Sequence, residues 1–103
     1  MTERALQKKC MDYLKGRDIY ALNIHGSSFN TRGISDIIAC INGKFVAFEL
    51  KVGGNDLTPA QRMHKKQIEE SWGRHFVCYD YDEFIECIKA VYSDWRRKRR
   101  QQQ

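Results

Sequence analysis

Two acids and a lysine, Asp36, Glu49 and Lys51, are the side chains whose types and spacing carry the clearest chemistry in this sequence. They flank Asn42-Gly43, a dipeptide set between two apolar runs. Asn-Gly in that setting predicts a two-residue type I′ hairpin turn, which needs φ > 0 at both central positions. A hairpin closed at 42–43 pairs Ile41 with Lys44, Ala39 with Val46, Ile37 with Phe48 and Asp36 with Glu49. Directly opposed residues leave the sheet on one face, with Cβ atoms about 4.5–5.5 Å apart. Like charges held that way repel, so something positive is expected between the two carboxylates. Lys51 falls on the same face, two residues beyond Glu49. The set is a divalent-metal hydrolysis site in outline. Mg²⁺ takes oxygen ligands and keeps several waters. Asp36, Glu49 and one backbone carbonyl, that of Leu50, would hold it and leave positions for water and a phosphate. The ion would polarise the phosphoryl oxygen and lower the pKa of bound water. Lys51 would orient the attacking water or offset developing negative charge.

The second hairpin strand supports this reading. Val46, Phe48, Leu50 and Val52 form one wholly apolar face. The other face runs Phe45, Ala47, Glu49, Lys51, apolar until it turns charged at its end. Burying an ionised carboxylate costs several kcal/mol unless it is paired. The competing reading is that Lys51 alone neutralises two surface acids.

The elements that position these residues follow from periodicity and punctuation. Leu6, Cys10, Tyr13 and Leu14 recur at helical spacing, which predicts a helix over 2–16 with Gly16 as its stop. A strand is expected at 19–24, and a polar, Gly-punctuated loop at 25–34. The hairpin strands are expected at 35–41 and 44–52, followed by a connector at 53–57. Thr58 then reads as an N-cap, Pro59 as the first helical residue and Gln61 as the partner in a capping box. That helix should run to about Trp72, before Gly73. A strand at 75–80 and a final helix from Tyr81 complete the chain, with Phe84, Ile85, Ile88, Tyr92 and Trp95 on one helical face. The order α-β-β-β-α-β-α implies an α/β fold, a mixed sheet flanked by helices.

Length and charge narrow the partners. One domain is expected from 103 residues, burying only about 60–65% of its unfolded surface, and such a chain gains from self-association. The net charge of +5 is concentrated in Arg96, Arg97, Lys98, Arg99 and Arg100; the other 13 basic residues balance the 13 acids. A basic run of this kind suggests a polyanion, most simply nucleic acid, or else a solvated tail. The domain is therefore placed at 1–95 and a basic C-terminal tail at 96–103. Cys10, Cys40, Cys78 and Cys87 are widely spaced and lie in apolar patterns, as expected of reduced thiols in a cytosol. No signal-peptide pattern or membrane-length apolar run is visible.

Gly33-Ile34-Ser35-Asp36, twelve residues, then Glu49-Leu50-Lys51 and Leu57-Thr58-Pro59-Ala60-Gln61 resemble the PD-(D/E)XK nuclease superfamily, and within it the VRR-NUC domain of small stand-alone phage and bacterial proteins. The resemblance spans Glu3 to about Ile88. It implies Mg²⁺- or Mn²⁺-dependent hydrolysis of DNA phosphodiesters, with Asp36 and Glu49 as ligands and Lys51 as the catalytic lysine. It also implies a homodimer acting on branched DNA such as four-way junctions, in a bacterial or phage-infected cytoplasm. Ser35 stands where the motif has proline. Relatives often supply an extra acid from the first helix, a role open to Glu3, which is equally a favourable charge at a helix N-terminus. Gln61 matches the family's downstream glutamine, although the capping box accounts for it without chemistry.

Other candidates are weaker. His25 and Gly26 precede the motif and could touch a phosphate. Lys65 and Lys66, beside His64 on the second helix, could contact DNA or simply form its wet face, and His75 reads as structural. Ser27 and Ser28 lack a His/Asp companion pattern, which argues against serine-hydrolase chemistry. Two further functional classes remain: a non-catalytic DNA-binding module on this fold, and a sequence-specific restriction-type endonuclease.

Overall fold

The computed structural model describes residues 1–24 and 33–101, with side chains as far as Asp94. Seven elements follow in order: α1 (Glu3–Gly16), β1 (Ala21–Asn23), β2 (Ile37–Ile41), β3 (Lys44–Leu50), α2 (Pro59–Glu70), β4 (Arg74–Cys78) and α3 (Tyr81–Gln101). The sequence predicts the same order, with longer strands at β1, β2 and β3.

The four strands form one sheet in the order β1-β2-β3-β4. The first three are antiparallel neighbours, and β4 joins β3 in parallel after the α2 crossover. The Asn-Gly turn is as expected: Asn42 has φ 52° and Gly43 φ 77°, both in the left-handed region a type I′ turn needs. Ile41 pairs with Lys44, Ala39 with Val46 and Ile37 with Phe48.

Alternation along β3 separates two faces. Val46, Phe48 and Leu50 enter a core with Leu6, Cys10, Met11 and Leu14 of α1 and Phe84, Ile88 and Val91 of α3. The Phe48 and Phe84 rings meet at 4.9 Å between centroids. Ile85 and Tyr92 pack at the margin of this core as partly buried residues; the Trp95 side chain lies outside the described residues. The opposite face meets α2, which buries none of its own residues fully. His75 is only 3% exposed there, and neither ring nitrogen has a protein partner. Burial and the nearby Lys65 ammonium hold its pKa down to about 4, so the ring is neutral at pH 7.

Helix ends depart from the glycine expectation. Gly16 belongs to α1, and the chain reverses two residues later at Asp18, with φ 57°. Ile19 N–H donates to Leu14 C=O and Asp18 N–H to Lys15 C=O, the pair of bonds that defines a Schellman motif. α2 ends the same way: Gly73 N–H donates to Ile68 C=O and Trp72 N–H to Glu69 C=O. There the left-handed residue is Trp72, with φ 69°, and not the neighbouring glycine. Gly73 is needed for another reason, since a Cβ on it would lie 2.9 Å from the Ile68 side chain and 3.2 Å from two carbonyl oxygens.

Trp72 is 83% exposed, so its side chain contributes little packing while its backbone carries the left-handed cost of about 1–2 kcal/mol. Trp72→Gly is therefore expected to stabilise the protein by about 0.5–1 kcal/mol, read as a raised midpoint in urea unfolding. A loss of stability would show that the indole has a packing role.

Candidate metal centre

Register and parity place the two acids. The pair flanking a two-residue turn, Ile41 and Lys44, exchanges backbone hydrogen bonds, and alternate pairs outward do the same. Ile37–Phe48 is thus a hydrogen-bonded pair and the last of the ladder; Asp36 falls just before β2, and continuing the same register would set it across from Glu49 in the non-hydrogen-bonded kind of position. The backbone bonds of Asp36 agree: its carbonyl accepts from Ile24 N–H at 2.8 Å, on the β1 side. Its carboxylate Oδ2 accepts from Leu50 N–H at 2.8 Å. This amide would otherwise be a loose end, because β2 has already ended. Lys51 N–H donates to Cys78 C=O on the β4 side. Leu50 therefore turns both its polar backbone groups away from β4, and its carbonyl heads toward the Asp36 end of the sheet.

Glu49 is 4% exposed. Its Oε1 accepts from Gln61 Nε2 at 2.7 Å, whereas its Oε2 is buried with no donor among the described residues. Burial first, then the Asp36 carboxylate, pushes its pKa up to about 8; Lys51 pulls it down and Glu3 adds a smaller upward push. All four charges therefore act within one neighbourhood. Gln61 closes the capping box on α2 and also reaches Glu49 with the same side-chain amide. Its Oε1 accepts from Thr58 N–H at 2.9 Å, and its backbone N–H donates to Thr58 Oγ1 at 3.2 Å, closing the capping box on α2. Thr58 N–H can only donate, so the amide oxygen must face it and the NH₂ must face Glu49.

Gly33 was not marked by the sequence as a site residue, yet it docks the motif onto α2. Its φ is +79°, and a Cβ there would lie 2.4 Å from the Ala60 carbonyl carbon and 2.8 Å from Gln61 N. Backbone-to-backbone contact brings the Asp36 segment against the turn that carries Gln61. The signal lay in the glycine that begins Gly-Ile-Ser-Asp. Gln7 was also missed: it is 5% exposed and donates from Nε2 to Asn23 Oδ1. With Glu3, Asp36 and Leu50 it borders a narrow crevice at this end of the sheet. Glu3 thus lies beside the acid pair, but among the described residues no three His, Cys, Asp or Glu side chains form a ready-made metal cage. Ser35, at the position of the motif proline, is 2% exposed and its hydroxyl has no protein partner.

The candidate DNA contacts are separate from this crevice. Lys65 donates to His75 C=O at 3.1 Å and lies 3.5 Å from the Glu69 carboxylate, so it ties α2 to β4. Lys66 is exposed, 3.9 Å from Glu70. The α3 backbone continues through 96–100, whose side chains lie outside the described residues, as do His25, Gly26, Ser27 and Ser28 altogether. No family model matches the chain, and no curated protein is recognisably similar to it.

The donor set fits a hard divalent ion. One carboxylate just before β2, one on β3 with a buried oxygen that has no donor among the described residues, and the Leu50 carbonyl supply oxygen ligands only. A cation bound there would oppose the burial and the Asp36 charge that together raise the Glu49 pKa.

The pH dependence follows with a defined sign. Glu49 binds its proton more tightly folded than unfolded, so its contribution to stability is full below about pH 4.5 and is lost as pH rises through about 8. His75 acts the other way, losing stability as pH falls from about 6.5 toward 4. Between pH 6.5 and 8 Glu49 sets the sign, and the Cys10 thiol, raised by burial to about 12, adds a further loss as pH approaches the ordinary thiol value of 9.0. In EDTA, wild-type stability is expected to fall between pH 6.5 and 8.5, with a slope of at most about 1.4 kcal/mol per pH unit. Glu49→Gln should flatten that slope, and so should saturating Mn²⁺. Equal slopes in wild type and variant would mean that Glu49 is ionised without a cation.

Proposed function

We propose that this protein is a Mg²⁺- or Mn²⁺-dependent endodeoxyribonuclease of the PD-(D/E)XK type, with the VRR-NUC domain as its nearest pattern. The observation that carries the reading is the Glu49 carboxylate, buried with one oxygen lacking a donor among the described residues and near enough to Asp36 for the two charges to repel. A structural carboxylate would have both oxygens satisfied, since an unpaired buried polar atom costs about 1–3 kcal/mol.

The residues divide the work as follows. Asp36, Glu49 and the Leu50 carbonyl would hold the cation; Leu50 N–H fixes the Asp36 carboxylate, and Gln61 fixes that of Glu49. When bound, the ion supplies Lewis acidity toward a phosphoryl oxygen and an acidified water. Lys51 places its ammonium beside the scissile phosphate, to orient the nucleophile and balance the charge that grows as the bond breaks. Glu3 stands at the crevice as a further acid for a ligand water. Burial on the Glu49 side keeps bulk water from competing for these groups.

Branched DNA, such as a four-way junction, is the proposed substrate. A junction has two-fold symmetry, and cutting it symmetrically needs two active sites, which a C₂ homodimer provides. The side chains at 96–100 are proposed to add sequence-independent phosphate contacts.

Incubation with junction, flap and linear duplex DNA tests the reading directly. Cutting is expected only with Mg²⁺ or Mn²⁺, preferentially in the junction. Glu49→Ala and Asp36→Ala should abolish it, and Lys51→Ala should lower kcat by about 10²–10³-fold. Binding without cutting under every metal would make the protein a DNA-binding module. Cutting that follows a sequence and not a branch would make it a restriction-type enzyme.

A further inference from the structure

One surface outside the acid pair has the charge and position to deliver the substrate. An open groove runs along α1 beside the β1 edge, lined by Thr2, Arg4, Gln7, Lys8, Met11, Asp12, Lys15 and Asn23 among others. Arg4, Lys8 and Lys15 are all exposed. At 100° per residue they fall within about 40° of one another around the helix, so they form a single stripe. The stripe lies next to Gln7 and Met11, two residues of the buried face of α1. Among the described residues Asp12 is the one acid lining the groove, and it engages Lys8 at 2.8 Å in an exposed pair, worth about 0–1 kcal/mol and readily exchanged for a phosphate.

The groove does not end in open solvent on every side. Gln7, held by Asn23, belongs both to its floor and to the crevice of Glu3, Asp36 and Leu50. A track of positive charge thus leads to the acids through a shared side chain. From Arg4 to Lys15 the stripe is roughly 17 Å long at 1.5 Å per residue. That matches about five nucleotide steps at 3.4 Å each along one strand.

We propose that the α1 groove binds the phosphate backbone of the DNA strand to be cut and feeds the scissile phosphate to Asp36 and Glu49. This rests on the nuclease reading for its direction, but the binding itself can be measured alone. Charge complementarity selects the occupant: three cations in one stripe along an open groove suit a polyanion. Contacts of this kind fix register and carry no base sequence, in keeping with a substrate chosen by shape.

The test is the triple variant Arg4→Gln/Lys8→Gln/Lys15→Gln, with Lys89→Gln on α3 as a control for loss of one charge elsewhere. Binding to junction and duplex DNA is measured across a salt series in EDTA, and cleavage in Mg²⁺. The triple variant should bind at least tenfold more weakly near 0.1 M salt, and its log–log salt slope should shrink by about 2–3. Its KM should rise while kcat at saturating DNA stays within a few fold, whereas Glu49→Ala should lose kcat and keep the salt slope. An unchanged slope in the triple variant, or a loss no larger per charge than in Lys89→Gln, would overturn the groove while leaving the nuclease reading intact. If the wild type cuts nothing with either metal, the nuclease reading fails. A smaller slope in the triple variant would then still establish the groove as a DNA-binding surface.

Discussion

A carboxylate buried beside a second acid is the constraint on which this structure turns. Glu49 lies at the end of a strand whose neighbours, Ala47 and Phe48, are fully enclosed. Left to itself the group would rather be neutral, because burial and Asp36 both disfavour its charge. Lys51 compensates only in part. The remaining imbalance is electrostatic and local, with one oxygen facing no donor. Under the proposed function a bound cation would offset it, so that metal binding and stability would be coupled at this position.

Three backbone-level devices keep the pair in place. The Asn42-Gly43 turn fixes the register, and a slip of one residue would send Glu49 to the opposite face. Leu50 N–H, orphaned where β2 ends, is satisfied by the Asp36 carboxylate. Gly33 lets the Asp36 segment lie against Ala60 and Gln61 without the Cβ that every other residue would bring. Gln61 joins these parts, since one amide caps α2 and grips Glu49. Its contribution to helix stability and to site geometry cannot be separated by a simple truncation. Glu49 sits on β3 and Gln61 on a capped helix, where positions are held most narrowly, and Asp36 immediately precedes β2.

Much of this was legible in the residues. Type I′ geometry is so tied to Asn-Gly that the full β2–β3 register followed from two positions, and the Thr58–Gln61 cap from four. The ends of α1 and α2 were not, because a hydrogen-bonded Schellman closure imposes the left-handed turn on whichever residue comes second after the helix. That residue is Asp18 in one case and Trp72 in the other. The strands came out shorter than their apolar patterns because pairing, and not hydrophobicity, sets where a ladder ends: β1 has only three residues with partners on β2. Gly33, Gln7 and the proximity of Glu3 to the acids depend on contacts between elements far apart in the chain. No local pattern encodes those.

Joint coordination of one ion by Asp36 and Glu49 is the central claim, and a crystal grown or soaked with Mn²⁺ tests it most directly through anomalous scattering. The account predicts one peak bridging the two carboxylates, within about 2.0–2.3 Å of an oxygen from each, and adjacent to the Leu50 carbonyl. Absence of a peak at saturating Mn²⁺, or a peak bound by only one of the two acids, would contradict it.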